Sequence, residues 1–285
     1  MNSSEKTEHL QKQTTVLADT HVHIYPCFDA GRAINYAISN MSRIRRSLGH
    51  NNLEFDVKFV LFLTERSDCN FFHDIATSKV PLARNGWKIK LLEEGKSISL
   101  TKDDSALYLF PGAQIATLEH LEVLALGTTT KFKDGLSLLE SIRAVIDDGS
   151  LPVLPWSPGK WTFQRGRKIY EAITTFSPER LLLADNALRP YGWREPSLIS
   201  KAKNAGFRVL GGSDPLPVPG EEQRIGSYCV LLADISTWDE TKPLTSVCQS
   251  LGKFVTVSAG RRLSFPVLVL KLIQNMWHKR GLSVF

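Results

Sequence analysis

LADTHVHIYP at residues 17–26 is the stretch that decides the fold. An apolar run leads into Asp19, His21 and His23, which occupy every second position, and a proline follows. Side chains alternate between two faces of a β-strand, so an extended segment from Val16 would place these three polar groups on one face. Neutral imidazoles are good ligands for zinc, iron and manganese, so the pair predicts a metal site at a strand end. The alternative is a hydrogen-bonded pair of histidines without a metal.

The composition is that of an ordinary globular protein with a spread-out positive charge. The 285 residues carry a net charge of +6, and 42% of them are hydrophobic. No long basic tract with interleaved aromatic residues is present, so we expect an anionic small-molecule partner and regard nucleic acid as an unfavoured one. The charge and hydropathy pattern does not indicate an oligomeric state.

The cysteines and the polar N-terminal stretch indicate a reducing compartment. The four cysteines show no metal-binding or redox spacing, and the N-terminal residues contain no apolar segment of the secretory type. We therefore expect a cytoplasmic protein. No apolar run approaches the roughly 20 residues of a membrane span, so we expect no integral membrane segment.

Strands alternate with helices along most of the chain. Predicted strands cover 55–65, 151–155, 180–185, 207–214 and 227–234, and predicted helices cover 31–48, 135–148, 163–175, 196–205, 241–250 and 263–279. This alternation predicts an α/β fold with a parallel sheet, and seven or eight strands favour a TIM-like (β/α)7–8 barrel. An open dinucleotide-binding sheet is disfavoured because no Gly-x-Gly-x-x-Gly follows a strand.

Short strands between 87 and 126 interrupt the alternation, and they predict a β-rich insertion that distorts the barrel near its site. Residues 1–14 are predicted to be a disordered tail. Residues 15–285 are predicted to form a single domain.

Polar side chains follow six apolar strands, at the ends where barrel enzymes carry their active sites. They are His21, His23, Glu65, Arg66, Gln114, Lys160, Trp161, Asp185, Asn186 and Asp214. Cations beside tryptophans in WSPGKWTFQRGRK, 156–168, suit an anionic ligand with a flat apolar face. Structural alternatives remain, because Asp214 could cap the segment after it, and Lys160 and Arg165 could be solvated loop charges. Glu119 and Glu122 could face either the pocket or solvent.

Three stretches, in order, resemble the PHP (polymerase and histidinol phosphatase) family of metal-dependent hydrolases. They are DTHVHIYP at 19–26, PGAQIATLEHLEVLALG at 111–127 and VLGGSDPLP at 209–217, and the similarity covers about residues 16–235. The last stretch is also similar to the wider amidohydrolase superfamily. The resemblance implies a distorted β/α barrel that binds up to three divalent cations and hydrolyses phosphate esters.

The chain departs from this family at most of the ligands for further cations. Arg66 stands where the family has histidine, and Gln114 stands where it has glutamate. Leu124 and Leu216 replace two more histidines, and residues 154–156 read Leu-Pro-Trp instead of the usual His-Pro. The resemblance therefore implies a site with fewer cations than its relatives have.

His21, His23 and Asp214 are the family ligands that remain. Two histidines and one carboxylate suffice for one cation with open positions, and the Gln114 carbonyl could add a weak fourth ligand. The set suits Zn²⁺, Mn²⁺ or Fe²⁺. Arg66 would add fixed positive charge where the family has a further metal.

We therefore expect a hydrolase of an anionic small-molecule ester, above all a phosphoester, that uses one divalent cation. Asp214 would orient or deprotonate the attacking water, and Arg66 would stabilise developing negative charge. The predicted substrate-binding residues are Lys160, Trp161, Arg165, Asp185 and Asn186. The alternative is a degenerate barrel that has lost its chemistry and serves as a ligand-binding or regulatory module.

Overall fold

The first strand, β1 (Thr14–Val22), is buried along its whole length and ends one residue before His23. The structure is a computed structural model that describes residues 14–49, 56–233, 235, 238–253 and 256–279. Most of the predicted tail, residues 1–13, lies outside the described residues, whereas Thr14 already belongs to β1. The division into a single domain over 15–285 stays a prediction.

The described residues contain eleven strands and seven α-helices in mixed order. The remaining strands are β2 (Asp56–Glu65), β3 (Lys88–Leu92), β4 (Ser97–Lys102), β5 (Ser105–Ala116), β6 (Glu122–Leu126), β7 (Leu151–Pro155), β8 (Leu182–Asn186), β9 (Val209–Gly212), β10 (Tyr228–Leu232) and β11 (Val257–Gly260). The helices are α1 (Ala30–Ser47), α2 (Phe71–Ala76), α3 (Leu138–Asp147), α4 (Phe163–Thr175), α5 (Ser197–Asn204), α6 (Pro243–Leu251) and α7 (Phe265–Lys279).

One sheet connects all of these strands. Its main path runs β11, β10, β1, β2, β5, β6, β7, β8, β9, and β3 and β4 extend from β5 off this path. The pairs β1–β2, β2–β5, β7–β8 and β8–β9 are parallel, and β6 and β10 run antiparallel to their neighbours. The carboxyl ends of β1, β2, β5, β7, β8 and β9 therefore lie at one rim of the sheet.

The sheet curls until β9 lies against β1, which nearly closes a barrel. The Thr20 hydroxyl donates to the Gly211 carbonyl at 3.2 Å, and the Asp214 N–H donates to the His21 carbonyl at 2.9 Å. Glycine is required for this approach, because a Cβ on Gly212 would lie 2.5 Å from the Cβ of His21.

Alternate strand residues separate the inside of the barrel from the outside. Val16 and Ala18 of β1 lie in an interior cluster with Phe62 and Phe110, whereas Leu17 packs outward against α1. This period of two is what a strand buried on both faces produces. A second outer cluster joins α3, α4 and α5 to β6, β7 and β8.

The helices cover the outer face with residues spaced three and four apart. In α1 the buried residues are Gly31, Ala33, Ile34, Ala37, Met41 and Ile44. The helix begins where the Asp29 side chain accepts the Arg32 N–H at 2.7 Å, which satisfies one of its free donors. No helix within the described ranges has both the length and the apolar character that crossing a membrane requires.

The predicted barrel is confirmed in its coarse form and wrong in detail. The fold is a mixed α/β fold with a nearly closed sheet, but it is not a strict (β/α)7–8 barrel, because β6 runs against both of its neighbours. Only residues 117–121 separate β5 from β6, and this connection is too short for the crossover that a parallel pair needs.

The β-rich insertion predicted over 87–126 is smaller than expected. β5 and β6 are strands of the main sheet path, and only the hairpin of β3 and β4 lies off it. The prediction assigned all of these consecutive short strands to an insertion. In the structure β5 belongs to the barrel, because it pairs in parallel with β2.

We expect Gly212→Ala to destabilise the protein by about 3 kcal/mol, because overpacking where β9 meets β1 forces the strands apart. Gly252→Ala is the matched control, since its nearest neighbours lie at an ordinary contact distance of 3.5 Å and its φ of −74° suits alanine. Urea unfolding followed by circular dichroism measures both. Equal midpoints for Gly212→Ala and the wild type would contradict the close approach.

Candidate metal centre

His21 and His23 direct the same ring atom at each other at the rim of the barrel. Their Nε2 atoms lie 2.9 Å apart, and the rings meet edge to face. A register shift between Asp19 and Val22 interrupts the pairing of β1 with β2 and turns the strand end toward the mouth. Burial lowers the pKa of His23 well below its usual range, and the charges of His21 and Arg66 act in the same direction. His23 is therefore neutral near pH 7, which is the form that binds metals.

Asp214 approaches the two histidines from the end of β9. Its Oδ1 lies 3.6 Å from the Nε2 of His21 and 3.8 Å from that of His23. Its backbone adopts a φ of +47°, an uncommon value for a non-glycine residue that the bond to the His21 carbonyl maintains. Asn186, at the end of β8, donates from Nδ2 to the Asp214 Oδ2 at 2.7 Å and to the Trp156 carbonyl at 2.8 Å. The amide thus orients the carboxylate so that Oδ1 faces the imidazoles.

These three side chains fit a divalent cation. One ligand atom from each of His21, His23 and Asp214 can be chosen so that all lie within 4.8 Å of one another. The Gln114 Oε1 lies 3.3 Å from the His21 Nε2, which brings a fourth donor to the group. Two imidazoles and a carboxylate match a borderline metal such as zinc, manganese or iron. The residues form a candidate metal site.

Asp19 does not join the histidines, although it lies two positions before His21. Its Oδ1 accepts the N–H groups of His21 at 3.3 Å and Ser213 at 2.8 Å, and its Oδ2 accepts the Gly226 N–H at 2.8 Å. Burial raises the pKa of Asp19 to about 6, and these hydrogen bonds oppose the rise. Asp19 therefore holds together the segments around the site, and both of its oxygens are engaged by backbone N–H groups.

Glu122 is a site residue whose orientation the sequence left open. Lys160 donates to its Oε1 at 2.5 Å, and the Gln114 Nε2 lies 3.3 Å from the same atom. The chain of contacts from His21 through Gln114 and Glu122 brings Lys160 to the mouth. Glu119 instead accepts the N–H of Leu138 at the start of α3 at 3.0 Å. The register of β5 against β6 sets this contact, since Glu122 pairs with Ala116 and Gln114 pairs with Leu124, and the sequence carries no signal of that register.

Arg66 lies beside the histidines rather than between them. It forms an ion pair with Asp68 at 2.9 Å, and its guanidinium stands 5.9 Å from the ring centroid of Tyr25. Tyr25 in turn packs against His23 with ring centroids 5.5 Å apart. A fixed positive charge is thus present at the edge of the site.

Three of the predicted substrate-binding residues are not brought to the site. Trp161 packs in the outer core and donates from Nε1 to the Pro155 carbonyl at 3.1 Å. Arg165 donates to the Gly159 carbonyl at 2.9 Å. Asp185 points away because it precedes Asn186 on β8, and successive strand residues face opposite sides. The sequence showed which residues follow β7 and β8 but not the face that each one takes.

Asp185 instead forms a buried network with two arginines. Arg189 donates to it from Nε at 3.0 Å and from Nη2 at 2.6 Å. Arg262 also donates to it, and the same guanidinium contacts Tyr228. This network ties the loop after β8 to the segment before α7.

Leu124 and Leu216, which stand where the resemblance would place histidines, lie in apolar surroundings. Leu124 is fully buried in the interior cluster, opposite Gln114 and Val153 on the neighbouring strands. Leu216 packs with Leu188, Val218, Leu263 and Leu268 under α7. Neither side chain can bind a cation.

The chain shares its fold with PsfC from Pseudomonas syringae PB-5123. The two are 15% identical, with a TM-score of 0.53 over 94% of this chain and all of PsfC. The lesion-specific endonuclease PfuEndoQ from Pyrococcus furiosus is also similar, at 10% identity and a TM-score of 0.43 over 76% of this chain. A complex of endonuclease Q with a 27-mer duplex substrate, with an abasic lesion at the active site, gives 11% identity and a TM-score of 0.42 over 82% of this chain.

The chain spans little more than half of the two endonuclease Q chains, 52% and 57%. No protein-family model matches the sequence, and no curated protein matches it.

The predicted partner is wrong. We expected a small anionic molecule and regarded nucleic acid as unfavoured, whereas the endonuclease Q complex contains a nucleic-acid duplex. The prediction relied on the absence of a continuous basic tract. A barrel mouth instead collects cations such as Arg66 and Lys160 from loops that are far apart in sequence.

We expect Asp185→Asn to destabilise the protein by about 3 kcal/mol, because Arg189 and Arg262 would keep their charges without a buried carboxylate. Glu171→Gln, which removes an exposed ion pair with Lys168, should change little. Denaturant unfolding measures both variants. If Asp185→Asn matched the wild type in stability, Asp185 would return as a candidate ligand-binding residue.

Proposed function

We propose that this protein is a metal-dependent hydrolase that uses one divalent cation, Zn²⁺, Mn²⁺ or Fe²⁺, to cleave phosphodiester bonds. The observation that carries the proposal is the convergence of His21, His23 and Asp214 at the mouth of the barrel. Gln114 would be a weak fourth ligand.

The chain's own groups would prepare the substrate and the water. A divalent cation in such a site acts as a Lewis acid and makes water a nucleophile near neutral pH. Asn186 keeps the Asp214 carboxylate aimed at the histidines, where it can orient the attacking water. Arg66 and Lys160 would bind the anionic oxygens and stabilise negative charge as it develops.

The number of cations is limited by what replaces the other family ligands. Leu124 and Leu216 have no donor atom, and Arg66 repels a cation and cannot deprotonate. We therefore infer one cation per chain.

Nucleic acid is the substrate class that we propose. The endonuclease Q complex supplies the class to test, and the support in this chain comes from the loops after β7 and β8. Phe163, the first residue of α4, and Tyr191, in the loop after β8, are 92% and 85% exposed, and Trp193 stacks on Phe265. Exposed aromatic rings beside cations such as Arg194 suit unpaired bases on a phosphate backbone.

A second candidate function is a ligand-binding or regulatory module without catalysis. Leu124 and Leu216 favour it, because both side chains pack in apolar clusters at positions where the resemblance implies ligands. Metal content separates the two candidates.

We expect about one metal ion per chain in purified, metal-loaded protein, measured by inductively coupled plasma mass spectrometry. His21→Ala and His23→Ala should lose the ion because each removes an imidazole ligand, whereas Arg66→Ala should keep it. His73→Ala, on the exposed face of α2, is the matched control. Two or more ions would refute the single site, and none would favour the module.

We expect metal-loaded protein to cleave labelled oligonucleotides, tested as single strands and duplexes, with and without an abasic site. His23→Ala should lower the rate by about 100-fold or more, and His73→Ala should not, because only the first removes a metal ligand. Gel electrophoresis of the products measures the rate. Metal-bound protein that cleaves none of these substrates would contradict the proposed substrate class.

A further inference from the structure

The segment from Ser213 to Gly226 begins and ends at one carboxylate. Asp19 accepts the Ser213 N–H with Oδ1 and the Gly226 N–H with Oδ2, both at 2.8 Å. Asp214 follows the first of these residues directly, and Arg224 lies two positions before the second. Asp19 therefore holds the two ends of this segment together, and Asp214 and Arg224 lie near those ends.

A buried acid organises the middle of this segment. The Glu221 side chain is fully buried, and its Oε2 lies 3.5 Å from the Leu216 N–H nitrogen. Lys271, on α7, places its Nζ 3.1 Å from Oε1. The negative charge of Glu221 is thus already paired with a lysine, independently of Arg224.

The Arg224 guanidinium makes no hydrogen bond among the described residues. Its closest acid is Glu221, whose Oε2 lies 3.5 Å from Nε, and its buried Nε and Nη2 have no partner. Only 13% of the side chain is exposed. A guanidinium has five N–H donors and keeps its charge in proteins, so leaving them unpaired in a buried place is costly.

The charges around Arg224 do not compensate its burial. Burial lowers the pKa of Arg224, although Glu221, Asp214 and Asp19 act to raise it. In the other direction, Arg224 acts to lower the pKa of Asp214 against the effect of burial. The two side chains therefore interact electrostatically at the site.

We propose that Arg224 is an anion-binding residue of the site, which binds phosphoryl oxygens beside Asp214 through its guanidinium. The planar fork of arginine matches the oxygens of a phosphate, and a charge-assisted bond would supply the partner that the donors lack. This inference rests on the proposed function for its substrate, a phosphodiester, and it adds a cation that sequence reasoning did not select. Arg224 lies far from His21 in sequence, and no motif marks it.

A purely structural role would make Arg224 a second partner of Glu221. Lys271 already provides that charge at a shorter distance, so the segment can keep its shape without the guanidinium. The two roles differ in one measurable quantity, which is the dependence of phosphate affinity on residue 224.

The test is binding of inorganic phosphate to the full chain, by isothermal titration calorimetry and by the rise in Tm that phosphate causes. The protein is first treated with a chelator, so that binding does not depend on the metal. Arg224→Met should weaken phosphate affinity by about tenfold or more and reduce the rise in Tm at a given phosphate concentration. The phosphate affinity of Arg224→Lys should lie between those of the wild type and Arg224→Met, because lysine keeps the positive charge but lacks the planar guanidinium. Arg143→Met, which removes an exposed arginine of α3, should behave as the wild type.

Unchanged phosphate affinity in Arg224→Met, or no binding to the wild type, would overturn the inference. If Arg224→Met does not fold, Arg224→Lys distinguishes the two roles. A purely structural role predicts that this variant has a lower Tm and an unchanged affinity for phosphate. A second titration uses a short single-stranded oligonucleotide. Arg224-dependent binding of both probes supports a diester ligand, and dependence for phosphate alone supports a free or terminal phosphate.

Metal content is measured separately on the same preparations. If the protein binds no metal but still binds phosphate in a way that depends on Arg224, the proposed metal-dependent hydrolase is contradicted and this inference is supported. Metal-bound protein whose phosphate affinity is the same in the wild type and in Arg224→Met would contradict this inference and leave the proposed hydrolase unaffected.

Discussion

The site depends on the buried carboxylate of Asp19. It accepts N–H groups from β1, from the end of β9 and from the segment before β10. Among the described strands, β9 forms backbone pairs only with β8. Its hydrogen-bonded contacts with β1 are instead made by the Asp19 carboxylate, by the Thr20 hydroxyl and by the bond from the Asp214 N–H to the His21 carbonyl. The interactions that close the barrel are therefore the same ones that set Asp214 against the histidines.

The charges at the mouth are largely paired with one another. Lys160 neutralises Glu122, and Asp68 neutralises Arg66. Glu221 has two cationic neighbours, Lys271 and Arg224, and the neutral His23 contributes no charge. Asp214 adds a negative charge to this set, so a divalent cation beside it would be the source of a positive field at the mouth. Such a field favours an anionic group over a neutral one, and its effect is large because the surroundings are partly dry.

The sequence predicted those features that depend on local spacing. The alternation of His21 and His23 was enough to place them at one strand end, and the order of apolar strands was enough to bring Asn186 and Asp214 to the same rim. It could not predict which of Asp185 and Asn186 faces inward, because a shift of one residue inverts a strand. Nor could it predict that Asp19 accepts N–H groups of Ser213 and Gly226, since only the fold brings these distant segments to β1.

Leu124 and Leu216 stabilise the fold by packing and add no ligand to the candidate site. Leu124 lies in the interior cluster with Phe62, Phe110 and Val153, opposite Gln114 on β5. A polar side chain at position 124 would cost free energy unless it reached a hydrogen-bonding partner such as Gln114. At position 216 the same change would remove a contact between the segment after β9 and Leu268 of α7. The two leucines thus contribute to two separate apolar clusters, and a larger ligand set at these positions would come at the expense of packing in both.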